Sequence, residues 1–463
     1  MRQFDVIVVG AGLSGCTAAI AAARKGKSVL LIERGARAGS KNMIGGILYT
    51  PVLEKLFPDF AATAPVERHV VSRSFAFLNE TSHVSFEVRS GAFDRPPEFN
   101  RSYTLRRTAF DPWLVSKAKE AGATVVTGTV VDALLHENDD PAKPVVGVRA
   151  RRQGGDILAK VVILAEGANA LIAERERLRP KTHPREAMLG VKQILRLDRG
   201  RLEDRFAISD TIGRGYEFFG DPTKGGFGSG FVYTNLDTIS VGVAASLSHL
   251  SRLRISPPIL LDRFKAHPSV AALIRDAVPV EYCAHLLPIG AVDGMPELVR
   301  DGLLLAGDAA RLANMSHYKE LTNLVTASGV AAGETAAEAL DAGDTTARGL
   351  EMYERKLQAG FVIRDIKKYS KLAELIEQAP ELMDKYPKRL VEAAVELFTI
   401  DDRPKEEVER AMLRTWNRHI KPAVLRKEMM ELMEASGFSL MPMMAKMVAP
   451  TMDWLPWRRN EKH

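Results

Sequence analysis

The chain has 463 residues, of which 46% are hydrophobic and 26% charged, and its formal net charge is +6. This length suffices for two or three domains, and the hydrophobic content excludes a disordered chain. Only two cysteines occur, Cys16 and Cys283, and no C-x-x-C pair is present. This excludes a cysteine-ligated iron–sulfur cluster or zinc site within the chain, and also a disulfide framework.

The sequence has no nucleic-acid motif and no long basic tract, so we expect no nucleic-acid partner. The first apolar run begins at residue 4, which leaves no room for a signal peptide, and no run approaches the ~20 apolar residues that span a bilayer. We therefore expect a cytoplasmic protein. Peripheral contact with the cytoplasmic face of the inner membrane stays open.

Residues 4–34 predict a strand, a tight turn, a helix and a second strand. Residues 5–9 form a β-branched apolar run that is typical of a buried parallel strand. The G-x-G-x-x-G motif follows at Gly10, Gly12 and Gly15. Gly10 allows the turn, Gly12 lets the backbone approach a pyrophosphate, and Gly15 lets the helix pack on the sheet.

Glu33 ends the second strand, where a carboxylate can accept hydrogen bonds from ribose hydroxyls. The N-terminus of the predicted helix after the glycine motif favours the binding of phosphate groups. The alternative, a glycine-rich turn in a nucleotide-free α/β domain, stays open, although the intact strand–turn–helix context favours nucleotide binding. The candidate nucleotide-binding residues are Gly10, Ala11, Gly12, Leu13, Ser14, Gly15, Glu33 and Arg34.

A glycine-punctuated basic loop, residues 34–46, follows the second strand and should run beside the cofactor. Its further candidate residues are Lys41, Asn42, Gly45 and Gly46. Residues 47–60 predict a short helix ended by Pro58. Residues 70–78 and 84–88 alternate like the strands of an antiparallel hairpin.

Residues 110–122 have helical spacing, and Arg106 and Arg107 before them are candidates for binding phosphates. Residues 125–135, 145–151 and 161–165 predict strands. Val130, Ala165 and Gly167 are further candidate cofactor-binding residues.

Residues 187–300 are rich in predicted strands, and residues 302–310 return to the nucleotide-binding part. Residues 323–340 predict a helix of small residues, and residues 350–463 are mainly helical with breaks at Pro380, Pro387, Pro404 and Pro422. We expect a nucleotide-binding domain (1–65, 105–175 and 295–345), an antiparallel β substrate domain (66–104 and 176–294) and a helical C-terminal region (346–463).

These separated segments resemble FAD-dependent oxidoreductases of the p-hydroxybenzoate hydroxylase and geranylgeranyl reductase structural group. Within it the chain is most similar to electron-transfer flavoprotein–quinone oxidoreductases, specifically their short Fix-type flavoprotein subunits. The stretches that carry this likeness are residues 41–49, 190–192, 226–238, 281–285 and 397–401.

The resemblance implies an α/β fold, in which a Rossmann-like FAD-binding domain carries an inserted antiparallel sheet and a helical C-terminal region. It implies that Gly307 and Asp308 contact the ribityl–pyrophosphate part of FAD and that Asn323 lies at the cofactor. It also implies electron transfer from an electron-transfer flavoprotein to quinone. Because larger family members carry an iron–sulfur domain, the resemblance implies a separate ferredoxin-like partner chain. We expect no acid/base dyad and no metal site.

Two stretches depart from the family pattern. Glu166-Gly167 stands where the family usually has Asp-Gly. Glu320-Leu321 replaces a basic-Gly pair expected near the flavin ring, so the flavin potential depends on compensation by Lys319 or His317.

Two other functions stay open from the sequence, namely a reductase of prenyl double bonds and a non-catalytic FAD-binding scaffold. The segment 437–459, rich in Met and Trp, suits a membrane contact, a partner surface or a tail folded onto the core.

Overall fold

The computed structural model describes residues 3–40, 46–95, 99–290, 295–313, 321–418 and 422–435. The strands are β1 (Gln3–Val9), β2 (Val29–Ile32), β3 (Ile47–Tyr49), β4 (Val66–Leu78), β5 (His83–Arg89), β6 (Ser102–Leu105), β7 (Thr124–Val126), β8 (Val131–His136), β9 (Val145–Ala150), β10 (Asp156–Leu164), β11 (Ala187–Arg196), β12 (Ile212–Gly220), β13 (Gly228–Thr234), β14 (Thr238–Ser246), β15 (Val278–Pro288), β16 (Val299–Arg300) and β17 (Leu303–Leu305).

The helices are α1 (Leu13–Arg24), α2 (Pro51–Leu56), α3 (Phe60–Thr63), α4 (Arg107–Glu120), α5 (Leu171–Arg175), α6 (Arg199–Phe206), α7 (Leu247–Leu253), α8 (Pro257–Ala266), α9 (Pro268–Ile274), α10 (Thr322–Ala342), α11 (Ala347–Leu350), α12 (Met352–Ala359), α13 (Val362–Tyr369), α14 (Leu372–Gln378), α15 (Lys385–Phe398), α16 (Lys405–Asn417) and α17 (Pro422–Ala435).

The first sheet is built around buried parallel strands. Its order is β16-β17-β10-β1-β2-β7, and the antiparallel strands β8 and β9 extend it beside β10. β1 pairs in parallel with β2 and β10, and β10 pairs in parallel with β17. All of β2 and the last four residues of β1 are buried, as continuous apolar runs predict. The predicted Rossmann-like α/β fold is confirmed.

The second sheet is largely antiparallel. Its order is β15-β11-β14-β13-β12-β4-β6-β3, and β5 pairs with β4. The β4–β5 pairing confirms the predicted hairpin. One face of this sheet packs on α6 and α8 through a core that includes Val241, Val243 and Phe264.

Three local predictions are wrong, each because a neighbouring segment overrides the local pattern. Residues 47–60 are not one helix, since β3 pairs with β6 and only α2 and α3 are helical. Residues 125–135 are two strands, because β7 pairs with β2 whereas β8 pairs with β9. Pro387 breaks no helix; it lies in the first turn of α15, where its missing N–H would have no partner within the helix.

The predicted small-residue helix is α10, and it packs against α1. A Cβ at Gly329 would lie 2.2 Å from the carbonyl oxygen of Ser14, and one at Gly333 would lie 2.2 Å from that of Ala18. The two helix backbones approach so closely only because these positions carry no side chain.

The C-terminal helices α14 and α17 pack near the end of β15. Leu372 and Ile376 share a core with Leu287, and Leu432 packs against this core. In the ranges that the structure describes, no helix is long and apolar enough to cross a membrane. The segment 437–459 lies outside those ranges.

Candidate functional site

The glycine turn after β1 is closed by backbone contacts that leave no room for side chains. Gly10 has a φ of +104°, and a Cβ there would lie 2.4 Å from the carbonyl oxygen of Ala165. A Cβ at Gly15 would lie 1.8 Å from the carbonyl oxygen of Gly10. The turn therefore requires glycine at both positions, and it holds the N-terminus of α1 against the ends of β1 and β10.

The Glu33 carboxylate organises the backbone beside this turn. It accepts hydrogen bonds from the backbone N–H groups of Ala11 at 3.0 Å and Gly35 at 2.6 Å. Glu33 also lines the adjoining cleft. Its carboxylate therefore has a fixed position from which its remaining lone pairs can accept hydrogen bonds from a ligand.

The cleft opens at the carboxyl ends of β1 and β10, where ligands bind in open α/β sheets. It gathers side chains and backbone from segments that are far apart in sequence. The predicted site residues that line it are Gly10, Gly12, Leu13, Ser14, Glu33, Arg34, Arg107, Val130, Ala165, Gly167 and Asp308.

Three other predicted residues shape the turn from behind the cleft. Ala11 orients Glu33, and Gly15 packs on Gly10. Gly307 has a φ of +70°, and a Cβ there would lie 2.8 Å from the Cβ of Ser14. This glycine therefore permits the close approach of the Asp308 segment to α1.

Two predicted residues, Gly46 and Asn323, form hydrogen bonds with β6 and α2 and are not among the residues that line the cleft. The Gly46 carbonyl accepts a hydrogen bond from the Leu105 N–H at 3.2 Å. The Asn323 Oδ1 accepts one from the Val52 N–H at 3.4 Å. Outside the described residues lie the candidates Lys41, Asn42 and Gly45, together with His317, Lys319 and Glu320.

The adjacent residues Arg106 and Arg107 point to different sites. Arg107 lines the cleft and forms a bidentate ion pair with Asp111, with 2.8 Å between Nη2 and Oδ2. The Arg106 Nε donates to Glu67 at 2.7 Å, and Glu67 also accepts from the backbone of Leu236. Of these two candidates, Arg107 lines the cleft, whereas the ion pair with Glu67 holds Arg106 against the second sheet.

Asp308 is a buried carboxyl at the cleft, and its pKa is raised. Burial raises its pKa to about 6, although the positive charges of Arg107 and Arg179 oppose the shift. Arg179 is itself buried and donates to the carbonyl oxygens of Ala309 at 3.1 Å and Ala168 at 3.0 Å. It thereby joins the two loops that border the cleft. Nothing in the local sequence pattern indicated this role.

The departure at Glu166 has a structural explanation. Its carboxylate accepts hydrogen bonds from the backbone N–H groups of Ile172 at 2.9 Å and Ala173 at 2.8 Å. Both groups lie in the first turn of α5, where N–H groups lack partners within the helix. Glu166 therefore caps α5, and burial raises the pKa of this carboxyl.

The outer rim of the cleft contains charged residues that the sequence did not single out. Arg151 pairs with Asp132 through both Nε and Nη2, at 2.9 and 2.6 Å. Arg175 donates to the carbonyl oxygen of Asp132. All three line the cleft. The antiparallel pairing of β8 with β9 brings Asp132 and Arg151 together, so only the strand register could have revealed the pair.

The second sheet also reaches the cleft. Of the described lining residues, His285 on β15 is the one that this sheet contributes. Burial lowers the pKa of His285 to about 4, and the charges of Arg107 and Arg34 lower it further. The strand pattern predicted β15, but it did not show which face would meet the cleft.

Family comparisons agree with this geometry. A family described as FAD dependent oxidoreductase matches residues 5–174, and the ETF-QO/FixC family C-terminal domain matches residues 372–437. The chain is 40% identical over 413 residues to the protein FixC of Escherichia coli K12, covering 89% of this chain and 94% of that one.

Two further relatives have similar coverage. A probable electron transfer flavoprotein-quinone oxidoreductase of the same organism, YdiS, is 39% identical over 89% of this chain and 94% of its own length. The FixC protein of Azorhizobium caulinodans is 40% identical over 90% of this chain and 94% of its own.

Among solved structures, a geranylgeranyl bacteriochlorophyll reductase-like protein from Thermoplasma acidophilum has a TM-score of 0.70 at 23% identity, covering 93% of this chain and all of that one. The flavin-dependent brominase Bmp2 has a TM-score of 0.61 at 16% identity, over 93% of this chain and 99% of its own. At these identities the likeness shows the fold.

The residues of the cleft fit FAD. The glycine turn would be blocked by any Cβ at Gly10 or Gly15, while the N-terminus of α1 and the side chains of Arg34 and Arg107 suit an anionic group. With these relatives at 39–40% identity, the chain belongs to the FixC and electron-transfer flavoprotein–quinone oxidoreductase family of FAD-dependent oxidoreductases.

Proposed function

We propose that FAD binds in the cleft. The N-terminus of α1 with Arg34 and Arg107 would hold the pyrophosphate, Glu33 the ribose, and Asp308 the ribityl chain. FAD supplies the redox chemistry, since it accepts and returns electrons. The protein supplies binding, orientation and a charged environment. We propose that Lys41, Asn42 and Gly45 also contact FAD.

We also propose the domain division stated from the sequence. The first sheet draws its strands from residues 3–9, 29–32, 124–164 and 299–305, within the proposed FAD-binding ranges. β3 is the exception, because it lies within 1–65 but pairs in the second sheet.

We infer that the enzyme takes electrons from an electron-transfer flavoprotein and passes them to quinone. The observation that carries this proposal is the identity of 39% over 89% of the chain to a relative described as a probable electron transfer flavoprotein-quinone oxidoreductase. The match of residues 372–437 to the C-terminal domain of the same family supports it.

A ferredoxin-like iron–sulfur chain is the proposed partner. Cys16 and Cys283 are the two cysteines of the sequence, and both are buried. Because cysteine-ligated clusters need more thiolates than this, an iron–sulfur centre in the electron path must belong to another chain.

The direct test is anaerobic spectroscopy on the purified protein. Flavin bands near ~370 and ~450 nm should bleach on adding reduced electron-transfer flavoprotein and recover on adding a quinone analogue. Dithionite reduction serves as the control, since it shows that the flavin is reducible without a partner. A flavin that dithionite bleaches but neither partner alters would contradict the proposal, and saturation of a prenyl substrate would then favour the reductase alternative.

Because quinones are lipid-soluble, we propose peripheral membrane contact through residues 437–459. Deleting these residues should release the protein from membrane vesicles while FAD content stays unchanged. Flotation of both forms with vesicles, combined with the ratio of flavin to protein absorbance, measures this. Equal flotation of the full and shortened chains would contradict the contact.

A further inference from the structure

β15 presents a row of polar side chains on the side of the second sheet that reaches the cleft. Successive side chains of a strand point to opposite faces. Tyr282 is exposed, whereas the next residue, Cys283, is buried. Cys283 and His285 therefore belong to the other face, and His285 lines the cleft.

The surroundings of the His285 imidazole leave space and hydrogen-bonding capacity for a ligand. Its neighbour in register on β11 is Gly190, so no side chain from that strand stands opposite it. Within the part of the chain that the structure describes, the ring has no hydrogen-bond partner, although Arg34 and Arg107 are close enough to affect its charge. An anionic ligand that binds beside these two arginines could also accept a hydrogen bond from the imidazole.

We propose that His285 is a cofactor-contacting residue supplied by the second sheet, and that it takes up a proton when the anionic pyrophosphate of FAD binds. This inference rests on the proposed placement of FAD in the cleft. Without the cofactor, two guanidinium groups and burial keep the imidazole neutral. A pyrophosphate offsets the charge of the two guanidinium groups, which favours the imidazolium and lets it donate a charge-assisted hydrogen bond.

Other titratable and charged groups enter the proton balance. Glu33, Arg34, Arg107 and Asp308 line the same cleft. On β11 and β15, Lys192 interacts with Cys283 and Glu281 and with the charge of Arg107. The main competitor is Asp308, whose pKa of about 6 also lies in the working range. An anion raises the pKa of this carboxyl as well, so the test must separate the two groups.

The test is calorimetric titration of FAD into the full chain after its FAD has been removed. Titrations at about pH 6, 7 and 8, in buffers of different ionisation enthalpy, yield both Kd and the number of protons taken up. We expect the Kd of the parent to rise about tenfold from pH 6 to pH 8, with proton uptake greatest near pH 6–7.

His285→Gln should remove at least half of the proton uptake and reduce the Kd change across this range below about threefold. His285→Arg carries a permanent charge, so its FAD binding should keep only the pH dependence and proton uptake that Asp308 supplies. Asp308→Asn should retain the part of the uptake that His285 supplies. His183→Gln, a change of an exposed histidine, is the matched control and should behave like the parent.

Two results would overturn the inference: unchanged proton uptake in His285→Gln, or loss of the entire uptake in Asp308→Asn. Arg34→Gln tests separately whether FAD binds in the cleft, since Arg34 is exposed and lines the cleft. If Arg34→Gln weakens FAD binding and His285→Gln does not, the role of His285 fails alone. If neither variant changes Kd, the placement of FAD in the cleft fails as well.

Discussion

At the residue scale, burial decides which charges face the cleft and in which state. Arg106 and Arg107 are neighbours at the start of α4, yet only Arg107 lines the cleft, while Arg106 is held by Glu67. Asp308 sits beside Arg107, but burial outweighs this attraction and raises its pKa to about 6. A carboxylate held there without a ligand therefore costs the folded state free energy above that pH.

Asp308→Asn tests this cost in FAD-free protein. The folded-state pKa of about 6 exceeds the ordinary value of 3.8, so the folded state binds more protons between these values. The stability of the parent therefore falls as pH rises from about 4 to 6, whereas an amide cannot titrate. We expect the variant to become about 1–3 kcal/mol more stable relative to the parent at pH 7 than at pH 4. Urea unfolding across this range measures the difference.

Asp402→Asn is the matched control, because Asp402 is exposed in the loop after α15. We expect its difference from the parent to stay within about 0.5 kcal/mol at every pH. A stability difference between Asp308→Asn and the parent that does not change with pH would contradict the argument.

At the element scale, the packing of α10 on α1 positions the glycine turn. Gly329 and Gly333 lie one helical turn apart and meet carbonyl oxygens of α1. Asp308 approaches α1 through Gly307, whose N–H donates to Ser328 on α10 at 2.9 Å. The helix pair thus fixes both the N-terminus of α1 and the Asp308 segment, which are adjacent parts of the cleft lining.

Gly333→Ala should destabilise the protein even though alanine favours helices. The added methyl would lie 2.2 Å from the carbonyl oxygen of Ala18, so the helices must separate, at a cost of about 1–3 kcal/mol. Thermal unfolding and FAD affinity should both fall, because α1 carries the turn.

The control for this prediction is Gly200→Ala in α6. A Cβ there meets only the Asp198 carboxylate, at an ordinary 3.5 Å. This change should therefore stabilise the protein by about 0.5–1 kcal/mol. If both substitutions stabilise, the close packing of α1 on α10 does not limit stability.

At the scale of the whole molecule, the cleft is assembled from segments scattered over about 300 residues of chain, between Gly10 and Val325. These segments come together only in the folded chain, through pairing of β1 with β2 and β10 and packing of α10 on α1. A ligand that fills it therefore binds the folded chain and not the unfolded one, and mass action must stabilise the fold.

Removing FAD should accordingly lower the thermal midpoint of the whole chain. Restoring free FAD to about 100 times its Kd should raise the free energy of unfolding by about 2.7 kcal/mol. Scanning calorimetry with a series of FAD concentrations checks this, and free adenine at equal concentrations is the control. A midpoint that does not depend on FAD concentration would show that the cofactor binds without being coupled to folding.

The sequence by itself determined the glycine turn, the buried parallel strands and the likeness to the family. These features depend on local requirements. Glycine is required where Gly10 and Gly15 meet backbone, and a continuous apolar run is required in a strand such as β2 that is buried on both faces. The hairpin of β4 and β5 could also be predicted, because the alternating apolar pattern of its strands and the turn between them lie in one continuous segment.

Only the tertiary structure decided which side chains share the cleft. Residues 47–49 become a strand because β6 pairs with them across about 55 residues of chain. His285 reaches the cleft because strand pairing directs it there, and loop packing brings Arg179 to the loops that border the cleft. Such contacts depend on register and on the orientation of distant elements, which no local pattern encodes.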